Sequence, residues 1–279
     1  MGGMSSMGRT PRLLFIDSGL GGLTVLRAAR QAIPEATVLF IADDACFPYG
    51  SKSASDLSSR LVGLVQKEIK DFNPDCIVLA CNTASTVALK ALRNAFVTPI
   101  VGAVPAIKPA AALTKSGLVS VLATPGTVVR EYTRELIAQF GAGTRFNLVG
   151  APKLAELAEM SASGLVVEDS AIAGEIAPCF IEDSGAKTDV VVLGCTHYPL
   201  LLDKLDALVP WPVTWLDPAP AVARRIANVL AEQGHVVGVG AKRGAGAIKF
   251  TSGRTLSALL SALLQSHNLS IAPFVAAAA

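Results

Sequence analysis

The sequence predicts an α/β protein of two similar domains with mainly parallel sheets and an active site in the cleft between them. Three observations carry that expectation. Short β-rich runs alternate with stretches whose apolar residues recur at helical spacing, the signature of strand–helix–strand units. Several of those runs stop on a polar cluster, and open parallel sheets bind ligands beyond the carboxyl ends of their strands. Two proline-rich passages interrupt the rhythm, and the motif "VLACNT" before the second half is echoed without gaps by "VLGCTH" within it, Cys195 lying 114 positions after Cys81.

In chain order, "RLLFID" (Arg12 to Asp17) reads as a strand that stops at "DSGLGG", and "LTVLRAARQAI" as a helix closed by Pro34. "TVLFIAD" (Thr37 to Asp43) is a second strand. "SASDLSSRLVGLVQKEIKDF" is an amphipathic helix with Ser and Asp at its start. "DCIVLAC" is a third strand and "TASTVALKALRNAF" the helix after it. The alternation resumes with "GLVSVLAT" (Gly117 to Thr124), then "PGTVVREYTRELIAQFG" read as one helix with Gly141 at its end. "TDVVVLGC" (Thr188 to Cys195) precedes a helical "PLLLDKLDALV", and "AIKFTSG" (Ala247 to Gly253) a final helix, "TLSALLSALL".

The breaks are "TPIVGAVPAIKP" (Thr98 to Pro109) and "PWPVTWLDPAP" (Pro210 to Pro220). Proline confines itself and its predecessor to extended or turn geometry. Two such passages suggest that the chain leaves one domain and later returns. The expected partition is a disordered leader over 1–11, a discontinuous first domain of 12–103 plus 216–279, and an inserted second domain of 104–215. A weaker echo, "FIDSG" beside "LATPG", sets Asp17 over Thr124.

Composition narrows the function classes. Hydrophobic residues are 51% and charged residues 16% of 279, enough apolar chain for a sizeable core. Lys plus Arg is 24 against 22 for Asp plus Glu, so no electrostatic footprint for nucleic acid or a membrane surface is present. The leader lacks an apolar core of signal-peptide type, no apolar run is long enough to span a bilayer, and the alanine tail after Phe274 is too short to anchor. Five widely spaced cysteines without a CxxC pair fit a reducing cytoplasm and give no zinc ribbon or disulfide framework.

The strand-end clusters are Asp17-Ser18-Gly19, Asp43-Asp44, Cys81-Asn82-Thr83, Thr124-Pro125-Gly126-Thr127 and Cys195-Thr196-His197. Cys76 and Cys179 read as small buried hydrophobes, and Cys46 sits in a loop without an evident role. Cys81 and Cys195 differ, because each ends a strand and is followed by hydrogen-bonding side chains. A thiol titrates near pH 8.5, so thiol and thiolate are both accessible near neutrality. A matched pair suits removal of a proton from one face of a stereocentre and delivery to the other. Ser18, Asn82, Thr83, Thr124, Thr127 and Thr196 could hold a carboxylate, helped by N–H groups at helix starts. Asp17 could bind an ammonium group or orient a thiol, or simply form its turn. His197 could relay a proton or favour a thiolate at Cys195. His235 and His267 read as surface residues. "DSGLGG" lacks a GxGxxG pattern and no Walker lysine follows, so a nucleotide site is the weaker reading. Zinc held by His197 and two cysteines is weaker still.

The motifs "IDSGLGGLTVLR", "DDACFPYGSKS", "LACNTAS", "GAVPAIKPA", "LATPGTV", "LGCTHYPLL", "LDPAPAVARR" and "FTSG", in this order from Ile16 to Gly253, resemble the glutamate racemases of the cofactor-independent aspartate/glutamate racemase superfamily. The resemblance implies interconversion of L- and D-glutamate, supply of D-glutamate for peptidoglycan, no cofactor, and Cys81 and Cys195 as the catalytic acid/base pair. It implies that Asp17 assists Cys81 and His197 assists Cys195. It places Asp17, Ser18, Tyr49, Gly50, Asn82, Thr83, Thr196 and His197 around the substrate, with Thr124 and Thr127 nearby. Asp43 and Glu159 are auxiliary candidates. "ADDACFPYG" departs from the family's usual "GDTARVPYG", which makes Asp44 and Cys46 unusual. The expected partner is glutamate, with no nucleic acid and no membrane; a homodimer stays open. A racemase for aspartate or another amino acid, or a non-catalytic binder of acidic amino acids, are the alternatives.

Overall fold

The computed structural model describes residues 9–141, 143–238 and 243–274. Most of the expected leader and the alanine tail beyond Phe274 lie outside the described residues. The described end of the leader belongs to the fold: the Pro11 carbonyl accepts from the Thr37 N–H at 2.8 Å, and the Arg9 carbonyl from His235 Nδ1 at 3.3 Å. His235, expected at the surface, is therefore buried.

The first stretch of chain forms β1 (Arg12–Asp17), α1 (Leu23–Ala32), β2 (Thr37–Ala42), α2 (Ala54–Phe72), β3 (Cys76–Leu79), α3 (Asn82–Ala95) and β4 (Ile100–Gly102). The middle adds α4 (Ile107–Leu113), β5 (Leu118–Ala123), α5 (Pro125–Val128), α6 (Glu131–Phe140), β6 (Arg145–Gly150), α7 (Leu154–Ala162) and α8 (Asp169–Ile176). A small hairpin of β7 (Glu182–Asp183) and β8 (Ala186–Lys187) precedes β9 (Val190–Gly194), α9 (Leu202–Ala207) and β10 (Thr214–Leu216). The chain closes with α10 (Ala219–Glu232), β11 (Gly246–Phe250), α11 (Ala258–Ser266) and β12 (Ser270–Ile271).

These strands make a six-stranded sheet, β12-β11-β2-β1-β3-β4, and a four-stranded sheet, β10-β9-β5-β6. Every pairing in both is parallel. Parallel sheets bury both faces, which explains why their strands read as continuous apolar runs. In β1, Leu13 and Phe15 face α1, α10 and α11, while Leu14 and Ile16 face α2 and α3. In the smaller sheet, Leu122 and Leu193 pack toward α7 and α8, and Val121 and Val192 toward α4 and α6.

The proline-rich passages are more than breaks. β4 lies inside the first and β10 inside the second, each at the edge of its sheet. Edge position is where a strand tolerates nearby proline, because one row of N–H groups needs no partner strand. The helix read as continuous from Pro125 to Gly141 is two helices. Arg130 adopts an extended conformation (φ −70°, ψ 138°) and separates α5 from α6. The segment after Cys195 likewise begins as a tight 3₁₀ turn, Tyr198–Leu201, before α9.

α2 shows how the local code works. Ser53 is its N-cap, accepting from the Asp56 N–H at 3.1 Å, and Asn73 ends it at φ 44°. Ser53→Ala should lower stability by about 1 kcal/mol, read as a lower urea midpoint; an unchanged midpoint would show that the cap contributes nothing.

Candidate active site

Each sheet places a polar strand end next to a cysteine. In the larger sheet β1 pairs with β3, which bring Asp17 and Cys81 to the same edge; in the smaller, β5 pairs with β9, which bring Thr124 and Cys195 together. The two pairs are offset by one residue relative to the sequence echo, because Ile16 faces Leu79 whereas Ala123 faces Gly194. The carboxyl edges of the sheets meet: Thr196 Oγ1 donates to Asp17 Oδ1 at 3.3 Å, and Thr83 Oγ1 lies 3.1 Å from both Thr124 Oγ1 and Thr127 Oγ1.

On the first wall, Asp17 closes its own loop. The N–H groups of Gly19 and Gly22 donate to Asp17 Oδ2 at 3.2 and 3.1 Å. The turn-forming role and the site role are thus combined, one oxygen serving each. Cys81 stands in extended conformation at the N-terminus of α3, whose first-turn N–H groups of Thr83 and Ala84 favour a thiolate. Burial opposes them more strongly, and the charges of Asp17 and Cys195 add to it, so the Cys81 thiol is pushed well above the usual range. Asn82 follows at 1% exposure, and both atoms of its amide are buried without a protein partner. An orphaned amide at the start of a helix costs stability unless a ligand completes it.

On the second wall, Cys195 Sγ lies 3.9 Å from His197 Nδ1, and His197 Nε2 lies 3.0 Å from Glu159 Oε2 on α7. Glu159 Oε2 also accepts from the Leu20 N–H at 2.9 Å, and Oε1 accepts from Arg254 at 3.2 Å. Burial disfavours a charged His197, yet its hydrogen bonds to Cys195 and Glu159 and the nearby Asp17 charge outweigh burial, and its pKa rises well above the ordinary imidazole value. Burial raises Glu159, but His197, Leu20 and Arg254 more than compensate, leaving it below the usual carboxylate range. The His197–Glu159 pair therefore sits against Cys195, with the Gly21 N–H also directed at His197 Nε2 at 3.3 Å, while Cys81 sits beside the buried carboxyl group of Asp17. Burial drives Asp17 up, opposed chiefly by His197.

The remaining candidates divide. Thr124 and Thr127 lie 3.0 Å apart and complete a hydroxyl triangle with Thr83. Ser18 and Thr196 are buried at the same edge. Tyr49 is buried close enough to Cys81 and Asp17 to feel their charges, but its hydroxyl donates to Asp43 at 2.7 Å. Asp43 also accepts from Arg60 Nε at 2.6 Å and from Thr251 Oγ1 at 2.7 Å, so it anchors the Tyr49 loop. Gly50 packs its backbone on α5: a Cβ there would stand 3.3 Å from Thr124, and one on Gly126 2.7 Å from the Gly50 carbonyl oxygen. Cys76 and Cys179 are buried in the cores, and burial pushes both thiols up to about 12. Among the described residues, no group of three or more His, Cys, Asp and Glu could hold a metal ion, and no helix is long and apolar enough to cross a membrane.

Sequence reasoning missed the glycine loop's contact with His197, the Phe47 ring 5.3 Å from the imidazole, and Arg254. Only the glycine density of "DSGLGG" carried a signal for the first.

Two parallel sheets thus meet at their carboxyl edges, each with a buried cysteine at a strand end, and the comparisons place the chain among the racemases. The chain belongs to the Asp/Glu/Hydantoin racemase family, whose model matches residues 24–226, and it is an isomerase. It is 53% identical over 219 residues to the glutamate racemase of Brucella canis, an alignment covering 78% of this chain and 79% of that one. Its fold is similar to that of Escherichia coli glutamate racemase solved with L-glutamate and the activator UDP-MurNAc-ala, with a TM-score of 0.84, 36% identity, and coverage of 95% of this chain and 98% of that one. It is also similar to that of the glutamate racemase of Thermus thermophilus in complex with beta-chloro-D-alanine, with a TM-score of 0.69, 28% identity, and coverage of 95% of this chain and 96% of that one.

Proposed function

We propose that this protein interconverts L- and D-glutamate by a two-cysteine acid/base mechanism without a cofactor, in the cytoplasm, supplying D-glutamate for peptidoglycan. The observation that carries the reading is the pair of buried strand-end thiols, Cys81 beyond β3 of the larger sheet and Cys195 beyond β9 of the smaller, at carboxyl edges that meet through Thr196 and Asp17. The names of the relatives support glutamate as substrate. On this reading residues 12–103 plus 216–279 act as one domain and 104–215 as the other, with β10 completing the second sheet.

One thiolate takes the α-proton while the opposite thiol protonates the other face, and the reverse reaction exchanges their roles. The neighbours suit that division. Burial and Asp17 favour a proton on Cys81, and Cys195 has the His197–Glu159 pair beside it, with Sγ 3.9 Å from His197 Nδ1. The Asn82 amide and the Thr83–Thr124–Thr127 triangle offer donors for the carboxylates, and Asp17 an acceptor for the ammonium group. Fixed donors around the developing carbanion lower its energy without solvent reorganisation. Cys81 is 5% and Cys195 6% exposed, so glutamate reaches them only when the cleft opens, and closure excludes water during proton transfer.

The test is proton NMR of each glutamate enantiomer with the protein in deuterated water. The expected result is loss of the α-proton signal together with inversion of configuration. Binding of glutamate without α-exchange would refute the racemase reading, and exchange confined to aspartate would reassign the substrate.

A further inference from the structure

Arg254 lies beyond β11, on the part of the chain built around the larger sheet, yet it grips α7, which packs on the smaller sheet. Its guanidinium donates to Glu159 Oε1 and to Ser163 Oγ, both at 3.2 Å, one turn apart on the same face of the chain. Ser257 Oγ adds a bond to the Ser163 carbonyl at 3.2 Å. Arg254 is itself held. Its N–H donates to Ser252 Oγ at 3.1 Å, and Ser252 donates to the Asp44 carboxylate through its N–H at 2.9 Å and its hydroxyl at 2.5 Å. Arg254 Nε lies 3.9 Å from Asp44 Oδ2.

An exposed ion pair of this kind would add little to stability. This one differs because Glu159 is only 14% exposed on its side chain and its second oxygen is committed to His197 and Leu20. We propose that Arg254 is a positioning residue for the Cys195 half of the reaction: it fixes the Glu159 carboxylate that orients His197, and Asp44 fixes Arg254. The inference rests on the racemase reading for its effect on rate, but the coupling to His197 stands apart from turnover.

The groups facing His197 are Cys195 from its own segment, Asp17 from β1 and Glu159 from α7; Arg254 faces Glu159, and Asp44 faces Arg254. Without the guanidinium, Glu159 Oε1 loses its partner and the carboxylate is held through Oε2 alone, so it can pivot there and its bond to His197, which stabilises the charged imidazole, is weakened. The imidazolium is present below the His197 pKa and is lost as pH rises through it. Lowering that pKa therefore brings the loss to lower pH.

The experiment uses the full chain, with histidine labelled for NMR; the protein has only three histidines, so His197 is assigned with one His197→Gln control. In Arg254→Gln the His197 inflection should move to lower pH, and Arg254→Lys, which keeps the charge, should restore it. Asp44→Asn should move it the same way by less. The alkaline limb of kcat/KM should shift with the inflection in Arg254→Gln, and kcat/KM there should fall about tenfold, a part of what positioned acid/base groups supply. The fall must be equal for both enantiomers, since their equilibrium constant is one, whereas kcat and KM separately should change unequally. An unmoved His197 inflection in folded Arg254→Gln, or in Asp44→Asn should the first variant not fold, overturns the proposal. A parent protein that exchanges no α-proton overturns the racemase reading instead, and the NMR titration still decides the role of Arg254.

Discussion

Cys81→Ala and Cys195→Ala should each lower racemisation at least about 10³-fold, the scale of a positioned acid/base group. The reason is geometric. Racemisation needs a proton taken from one face and another given to the opposite face, and each wall of the site carries one thiol. On the proposed two-thiol mechanism, with one thiol gone, the survivor should still reach the α-proton of a single enantiomer. Residual exchange in deuterated water should therefore favour one enantiomer in Cys81→Ala and the other in Cys195→Ala. Each cysteine sits at a strand end on the margin of a core cluster, and its change to Ala removes one sulfur atom, so both variants should melt close to the parent. Racemisation at the parent rate by either variant would end the two-thiol mechanism. Identical enantiomer preference in both would show that the thiols do not lie on opposite faces.

Gly21→Ala should be the next most damaging change. A Cβ at Gly21 would stand 2.4 Å from His197 Nδ1, 2.7 Å from Cγ and 2.7 Å from the His197 backbone nitrogen. The ring can rotate away, but the backbone cannot without moving Cys195, two residues earlier. The same loop carries the Leu20 N–H that binds Glu159. A displacement of about 1 Å at such a point costs on the order of 10²-fold in rate, and overpacking costs about 1–3 kcal/mol of stability. The matched control is Gly63→Ala on the exposed face of α2, where a Cβ meets nothing within 4 Å. There the better helix former should stabilise by up to about 1 kcal/mol and leave kcat/KM alone. Parent-like activity in Gly21→Ala would mean that the loop and the His197 segment are not mutually constrained.

What the sequence determined by itself was whatever is written in neighbouring residues. The runs at Arg12–Asp17, Thr37–Ala42, Leu118–Ala123 and Val190–Gly194 are apolar in their interiors, save for the buried Ser120, because both faces of these parallel strands are buried, and their ends show where polar groups emerge. That made Cys81 and Cys195 legible as a pair. It did not reveal β4 and β10, three residues each and set among prolines, because edge strands that short carry no periodicity. Nor did it show that Arg130 splits one expected helix into two, or that Asp43 spends its carboxylate on Tyr49, Arg60 and Thr251.

Tertiary structure was needed to show what stands behind Asp17 and His197. Leu20 meets Glu159 across 139 positions of chain, Thr196 meets Asp17 across 179, and Arg254 reaches Glu159 across 95. Helical and strand periods run over a few residues, so they specify which face of an element is buried. They do not specify which distant element covers it. That choice belongs to the packing of two sheets edge to edge, where burial removes water and makes each remaining charge depend on its few protein neighbours.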